Sequence, residues 1–157
     1  MRRHAALFAI LVGGSIAGAL DITYAIVFSA FRGVAPTRIL QSVASGLLGA
    51  PAFTGGIPAA ALGLCLHFLI AYVLAAIFYG ASRKIPALTN HAVVSGVVYG
   101  AAIFAVMNLV VIPLSAVPGK MRFVPVVVAT GLFVHMFCIG LPIALATRAA
   151  TRGKPST

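Results

Sequence analysis

Four long stretches of the chain run almost without a polar residue, and the polar residues between them come in short clusters. The stretches cover about residues 5–31, 57–81, 91–115 and 123–147. A helix rises about 1.5 Å per residue and needs about 20 apolar residues to cross the hydrocarbon of a bilayer. Each stretch meets that length. The pattern therefore predicts an all-α membrane protein, a four-transmembrane-helix bundle with short connections. In a chain of 157 residues no room remains for a separate soluble domain, so residues 1–157 read as a single integral membrane domain.

Residues 36–50 follow a different pattern. On a helix, Arg38, Gln41, Ser42, Ser45 and Gly49 share one side while Leu40, Val43 and Leu47 share another. Pro36 suits the first turn of such a helix, and Gly49, Pro51 and the Gly55-Gly56 pair would end it. A helix this short cannot cross a core of about 30 Å. It is expected to lie amphipathically on the interface, with a re-entrant half-helix as the alternative.

The two ends of the chain carry basic residues. Met1-Arg2-Arg3-His4 opens the first stretch, and Ala17-Gly18-Ala19 offers the small residues of a signal-peptide cleavage site. The apolar run continues past that site through Ile22, Tyr24, Ile26, Val27 and Phe28, which favours a retained signal anchor. Residues 148–157, with Arg148, Arg152, Gly153, Lys154 and Pro155, read as a frayed basic tail.

Composition sharpens the membrane reading. Hydrophobic residues make up 62% of the chain and charged ones 8%, against about 25–35% charge on the surface of a soluble domain. A pI near 11 raises nucleic acid, but the cations are scattered in ones and twos beside apolar segments instead of forming a solvated basic face. Their expected partners are anionic lipid head groups, with a homo-oligomer or a membrane partner protein as further possibilities and no nucleic acid. Seven basic residues (Arg2, Arg3, Arg83, Lys84, Arg148, Arg152, Lys154) fall on one side of a four-span topology and four (Arg32, Arg38, Lys120, Arg122) on the other. The excess predicts that both termini are cytoplasmic.

Lipid tails are as apolar as leucine, so such helices associate through small residues that let backbones approach. Gly14, Gly18, Asp21 and Ala25 fall on one stripe of the first stretch, and Gly63 stacks with His67 in the second. Gly96 and Gly100 pair in the third, and Gly131, His135, Cys138 and Pro142 align in the fourth. Three of the four stripes carry an ionisable residue, which directs Asp21, His67 and His135 toward protein.

Counting from the non-cytoplasmic ends of the stretches places Asp21, His67 and His135 about 15–18 Å deep, and Asn108 about 10 Å deep, at 1.5 Å per residue. Asp21 is the only acidic residue of the chain. An ionised group at that depth is costly unless it is paired, so a hydrogen-bonded Asp–His pair is expected. Three uses of this polar layer are open. Asp21, His67, Asn108 and Tyr24 can simply tie helices together. Asp21 can accept a proton with His67 as its partner and Asn108 orienting them, because burial moves carboxyl and imidazole titrations toward each other. Or His67 and His135 can hold haem b, with Cys138 beside His135 completing a transition-metal site.

Other chemistry is excluded more simply. One carboxylate cannot supply paired-carboxylate hydrolysis within a monomer, and no Walker, Rossmann or GxSxG pattern occurs. An enzyme is not expected, and neither is a resident cofactor beyond the haem or metal alternative. Cys65 and Cys138 lie inside apolar stretches and read as small core residues, not a disulfide framework. His4 and His91 are expected to be solvated near the interfaces, and Phe53, Phe78, Tyr79 and Phe123 to anchor the ends of the helices there.

Several segments carry a resemblance. Residues 38–49 (RILQSVASGLLG), Leu66-His67-Phe68, Met107-Asn108-Leu109 with Pro113-Leu114-Ser115, and His135 leading to Gly140-Leu141-Pro142 resemble the uncharacterised small inner-membrane proteins of the YagU-like group in bacteria. The similarity covers about residues 18–146. It implies a bacterial inner membrane and a multi-pass protein, and no activity or catalytic residue is carried over. The expectation is a small membrane protein accessory to transport or to proton or ion handling through Asp21, His67, His135 and Asn108. A redox protein using His67 and His135 is the alternative, alongside a purely structural role.

Overall fold

A computed structural model describes residues 2–119 and 124–152. The described residues are helical throughout their ordered elements, and no strand occurs among them. Four helices are long and apolar enough to cross a membrane: Arg3–Ala30, Gly56–Ser82, Ala92–Leu114 and Pro125–Arg152. Lys120, Arg122 and Phe123, together with the tail beyond Arg152, lie outside the described residues.

The ends of the helices differ from the sequence pattern in one place that matters. The fourth long helix continues through Arg148 to Arg152, where a frayed tail was expected. Ala146 and Thr147 are buried there, and the Thr151 hydroxyl donates to Thr147 O at 3.0 Å. Packing on one face carries the helix past the point where its apolar run stops.

A shorter helix, Pro36–Leu48, follows the first long helix. Proline occupies its first turn, where no backbone N–H is needed, and Gly49 ends it with a φ of 66° that favours glycine. Its inner face is Gln41, Ala44 and Ser45, all buried, while Leu47 is 63% exposed. Gln41 and Ser45 of the polar side thus turn toward protein, while Arg38 and Ser42 stay exposed and Leu47 and Leu48 face outward. Gln41 Nε2 donates to Gly56 O at 3.1 Å, and Arg38 lies over the Phe53 ring at 4.0 Å.

Close approach of this helix depends on Gly63 of the second long helix. A Cβ there would fall on the backbone carbonyl of Leu40. Gly63→Leu should therefore lever the Pro36–Leu48 helix away and open its inner face. Thiol labelling of a Ser45→Cys reporter should be at least tenfold faster in the Gly63→Leu background, and equal rates would refute this docking.

The long helices are arranged second–first–fourth–third. The first meets the second where added Cβ atoms at Gly14 and Gly18 would strike Tyr72 and Phe68, and it meets the fourth where one at Gly13 would lie 3.2 Å from Ala146. The third and fourth touch backbone to backbone at Gly96, Gly100 and Gly140. The second and third meet only at an edge, where Tyr99 Oη donates to Leu74 O at 2.8 Å and the Phe78 and Tyr99 rings lie 5.0 Å apart. Phe78 is 2% exposed. It is a core residue and not the interfacial anchor expected from its place near a helix end, because the Tyr99 ring covers it. His4 and His91 are exposed, as is Cys65, so that thiol lies on an outer face instead of in the core.

Candidate functional site

Pro113 lies in the third long helix and Pro142 inside the fourth, and both prolines leave a mark on the backbone. Proline has no N–H to give and its ring collides with the carbonyl four residues earlier. Just upstream of Pro113 the ladder widens into a π-turn at Met107–Val111, and just upstream of Pro142 into another at His135–Gly140. Such turns carry one residue more than the helix around them needs, and they alter which side chains point inward. Asn108 and His135 sit in these two turns.

Both residues line a half-open chamber of about 400 Å³ bordered by all four long helices. Asp21 reaches it from the first, His67 from the second, Asn108 from the third and His135 from the fourth. Val43 of the Pro36–Leu48 helix also lines it. Asp21, His67 and His135, expected at one depth, and Asn108, expected nearer the interface, are thus brought together around one space. Each is half-buried.

How they are satisfied differs from the expected Asp–His pair. His67 Nε2 lies 2.8 Å from Gly18 O, one turn before Asp21 on the first helix. Among the described residues no hydrogen bond or ion pair joins Asp21 to either histidine. Gly18 explains the change: with no side chain, it lets Phe68 and His67 come so close that the backbone carbonyl is the nearer acceptor. His135 Nδ1 lies 2.9 Å from Gly131 O, and Asn108 Nδ2 donates to Phe104 O at 2.8 Å. The Phe104 ring packs edge-on against the His135 imidazole, with centroids 5.3 Å apart.

The chemical consequence is specific. A carbonyl can only accept, so the ring nitrogen facing it carries the hydrogen, and a neutral imidazole has one donor and one acceptor. His67 is left with Nδ1 as an acceptor and His135 with Nε2. Asn108 retains its Oδ1, and Asp21 as a carboxylate only accepts. The chamber is rich in lone pairs and poor in donors, and no basic side chain lines it.

Of the donors named for a metal, His67 and His135 line the chamber and Cys138 does not. The π-turn separates Cys138 from the face of His135 on which a regular helix would have placed it. Among the described residues no three His, Cys, Asp or Glu side chains form a metal-binding group. The two π-turns and the partners Gly18, Gly131 and Phe104 were not anticipated from sequence. The available signal was the pair of prolines inside otherwise helical apolar runs. No family model matches the chain, and no curated protein or solved structure is significantly similar to it.

Proposed function

We propose that this chain is a multi-pass protein of the bacterial inner membrane, a bundle of four spans with both termini cytoplasmic, and that its chamber takes up and releases a proton or small cation. The Pro36–Leu48 helix lies at the non-cytoplasmic interface in this reading, with Leu47 and Leu48 toward lipid, and the basic loops meet anionic head groups. The observation that carries the function is the meeting of four polar residues, one from each long helix, around a single acceptor-rich space. Polar groups at membrane depth are costly and mark ion or proton pathways more often than packing alone would require. Asp21 is the charge-bearing acceptor, and the free nitrogens of His67 and His135 are the relay partners.

The test is proton flux into proteoliposomes under an imposed pH gradient, read with an enclosed dye. Wild type should conduct at least tenfold above empty vesicles. Asp21→Asn keeps the shape and loses the charge, so it should fall to background while reconstituting in equal amount. A wild-type rate equal to that of empty vesicles, or an Asp21→Asn rate equal to wild type, would sink the reading.

A haem group between His67 and His135 is the second reading. In its favour, each ring gives its N–H to a backbone carbonyl, the outer arrangement that holds metal-bound imidazoles in place. The two histidines would hold a haem iron and lend it redox chemistry, whereas a metal ion would lack a third donor among the described residues. An absorption spectrum of the purified protein decides. A Soret band absent from both His67→Ala and His135→Ala supports it, and a colourless wild type discards it.

A further inference from the structure

The second and third long helices leave a gap on their open side. It forms a cleft of about 490 Å³ presenting only apolar surface, with Leu69, Val73, Ile77, Ala102 and Val106 along it. Ile70, Leu74, Ile103 and Met107 line both this cleft and the central chamber. The two spaces are therefore neighbours through a shared wall of four apolar side chains. One is lined in part by polar residues and the other only by apolar surface, and each volume falls in the range of about 300–1,000 Å³ common for ligand pockets.

The chamber states what it will accept. Asp21 carries the only side-chain carboxylate of the chain, and His67, His135 and Asn108 have each given an N–H to backbone carbonyls. A phosphate or carboxylate head would find a negative charge and lone pairs, with no cation lining the chamber. A protonated amine would find the opposite: a counter-charge, several acceptors, and the Phe104 ring for its positive charge. A neutral apolar molecule would leave the acceptors unpartnered.

Resting on the reading of the chamber as a cation site, we propose that its guest is a single-chain amphiphile with a protonated amine head. The head sits among Asp21, His67, Asn108 and His135, and the chain lies in the cleft between the second and third helices, reached from the lipid side. Such a ligand needs no aqueous mouth.

Decylamine is the probe, since a primary alkylamine is protonated at neutral pH as lysine is. Native mass spectrometry of the full chain in a non-ionic detergent, with equal concentrations of decylamine, decanol and decanoate, reads the adducts. One decylamine should bind, at least tenfold tighter than either competitor, and Asp21→Asn should lower its affinity at least tenfold. Ala102→Trp, which fills the exposed cleft, should do the same. Equal binding of decanol or decanoate to wild type overturns the assignment without recourse to any variant. So does unchanged binding by Ala102→Trp, or a wild-type dimer that this variant converts to monomer, which would make the cleft a surface for a second copy. Proton flux measured on the same preparation separates the two ideas. Flux without amine binding removes the amphiphile and keeps the chamber reading, whereas loss of both removes the two together.

Discussion

Gly100→Leu should prevent the third and fourth long helices from assembling, and Gly80→Leu should leave the fold intact. The contrast isolates backbone contact from glycine content, because both residues lie within long helices of the same chain. A Cβ on Gly100 would coincide with the His135 carbonyl, and one on Gly140 would meet Gly96 O and lie 2.7 Å from the Gly100 Cα. Those obstacles are main chain, which cannot rotate aside as a side chain can. Overpacking typically costs about 1–3 kcal/mol where neighbours can shift, and here the expected cost exceeds about 3 kcal/mol. Gly80 has nothing within 4 Å of its Cβ position, so its substitution should stay within about 0.5 kcal/mol. Thermal unfolding followed by circular dichroism in detergent makes the comparison. Melting of the two variants within a few degrees of each other would show that the glycine crossing does not hold this pair of helices.

A second large effect is expected from removing one residue. Deleting Phe137 and replacing Pro142 by alanine should give a protein that still folds and no longer uses its chamber. The π-turn at His135–Gly140 holds one residue beyond what a regular helix requires, and Phe137 lies on its outer, 40% exposed side. Without it the flanking segments Pro125–Val134 and Leu141–Arg152 can keep their faces, since a regular turn now bridges them. Alanine at 142 removes the ring that would clash in a regular helix, a penalty of about 3 kcal/mol. What changes is the turn itself: the backbone from His135 to Gly140 tightens, and the imidazole that the wide turn holds at the chamber wall is displaced. Proton flux should fall at least tenfold while the melting temperature stays within a few degrees of wild type. Deleting Phe133 instead, in the regular part of the helix, turns everything after it by about 100° and should abolish folding. Retained flux in the Phe137 deletion would show that the π-turn is not what aims His135.

Much of the site was legible in the chain. The stripe Gly14, Gly18, Asp21 and the spacing of His67 and His135 within their apolar runs placed these residues on inner faces at a common depth, and Asn108 joined them. Helix period and rise are sufficient for that. Partner choice was not legible. Whether His67 meets Asp21 or Gly18 O depends on how closely two backbones approach, and that distance comes from Phe68 and Ala71 packing onto a bare glycine. The π-turns were half legible, through Pro113 and Pro142, but a proline says only that the ladder breaks. Where the extra residue goes is not in the pattern; in the structure it falls in the turn that ends where Gly140 meets Gly96 and Gly100. For the short helix, its two unlike sides were readable from spacing, and its extent, Pro36–Leu48, follows the pattern closely. The direction its polar side faces was not, since Gln41 turns inward to reach Gly56 O. Phe78 shows the same limit: position near a helix end predicted an anchor, and a neighbour from a distant part of the chain buried it.

The contact between the first and fourth long helices has a bearing on biosynthesis. A ribosome delivers the first helix earliest and the fourth last, yet these two lie side by side, with Gly13 against Ile143 and Ala146. The first and second can pair as soon as both have left the translocon. The third has no comparable partner until the fourth emerges, because its glycine face fits only Gly140 and its neighbours. An incomplete chain therefore displays two unfilled seams, one on its oldest helix and one on its newest. Both seams can close only once the fourth helix is present.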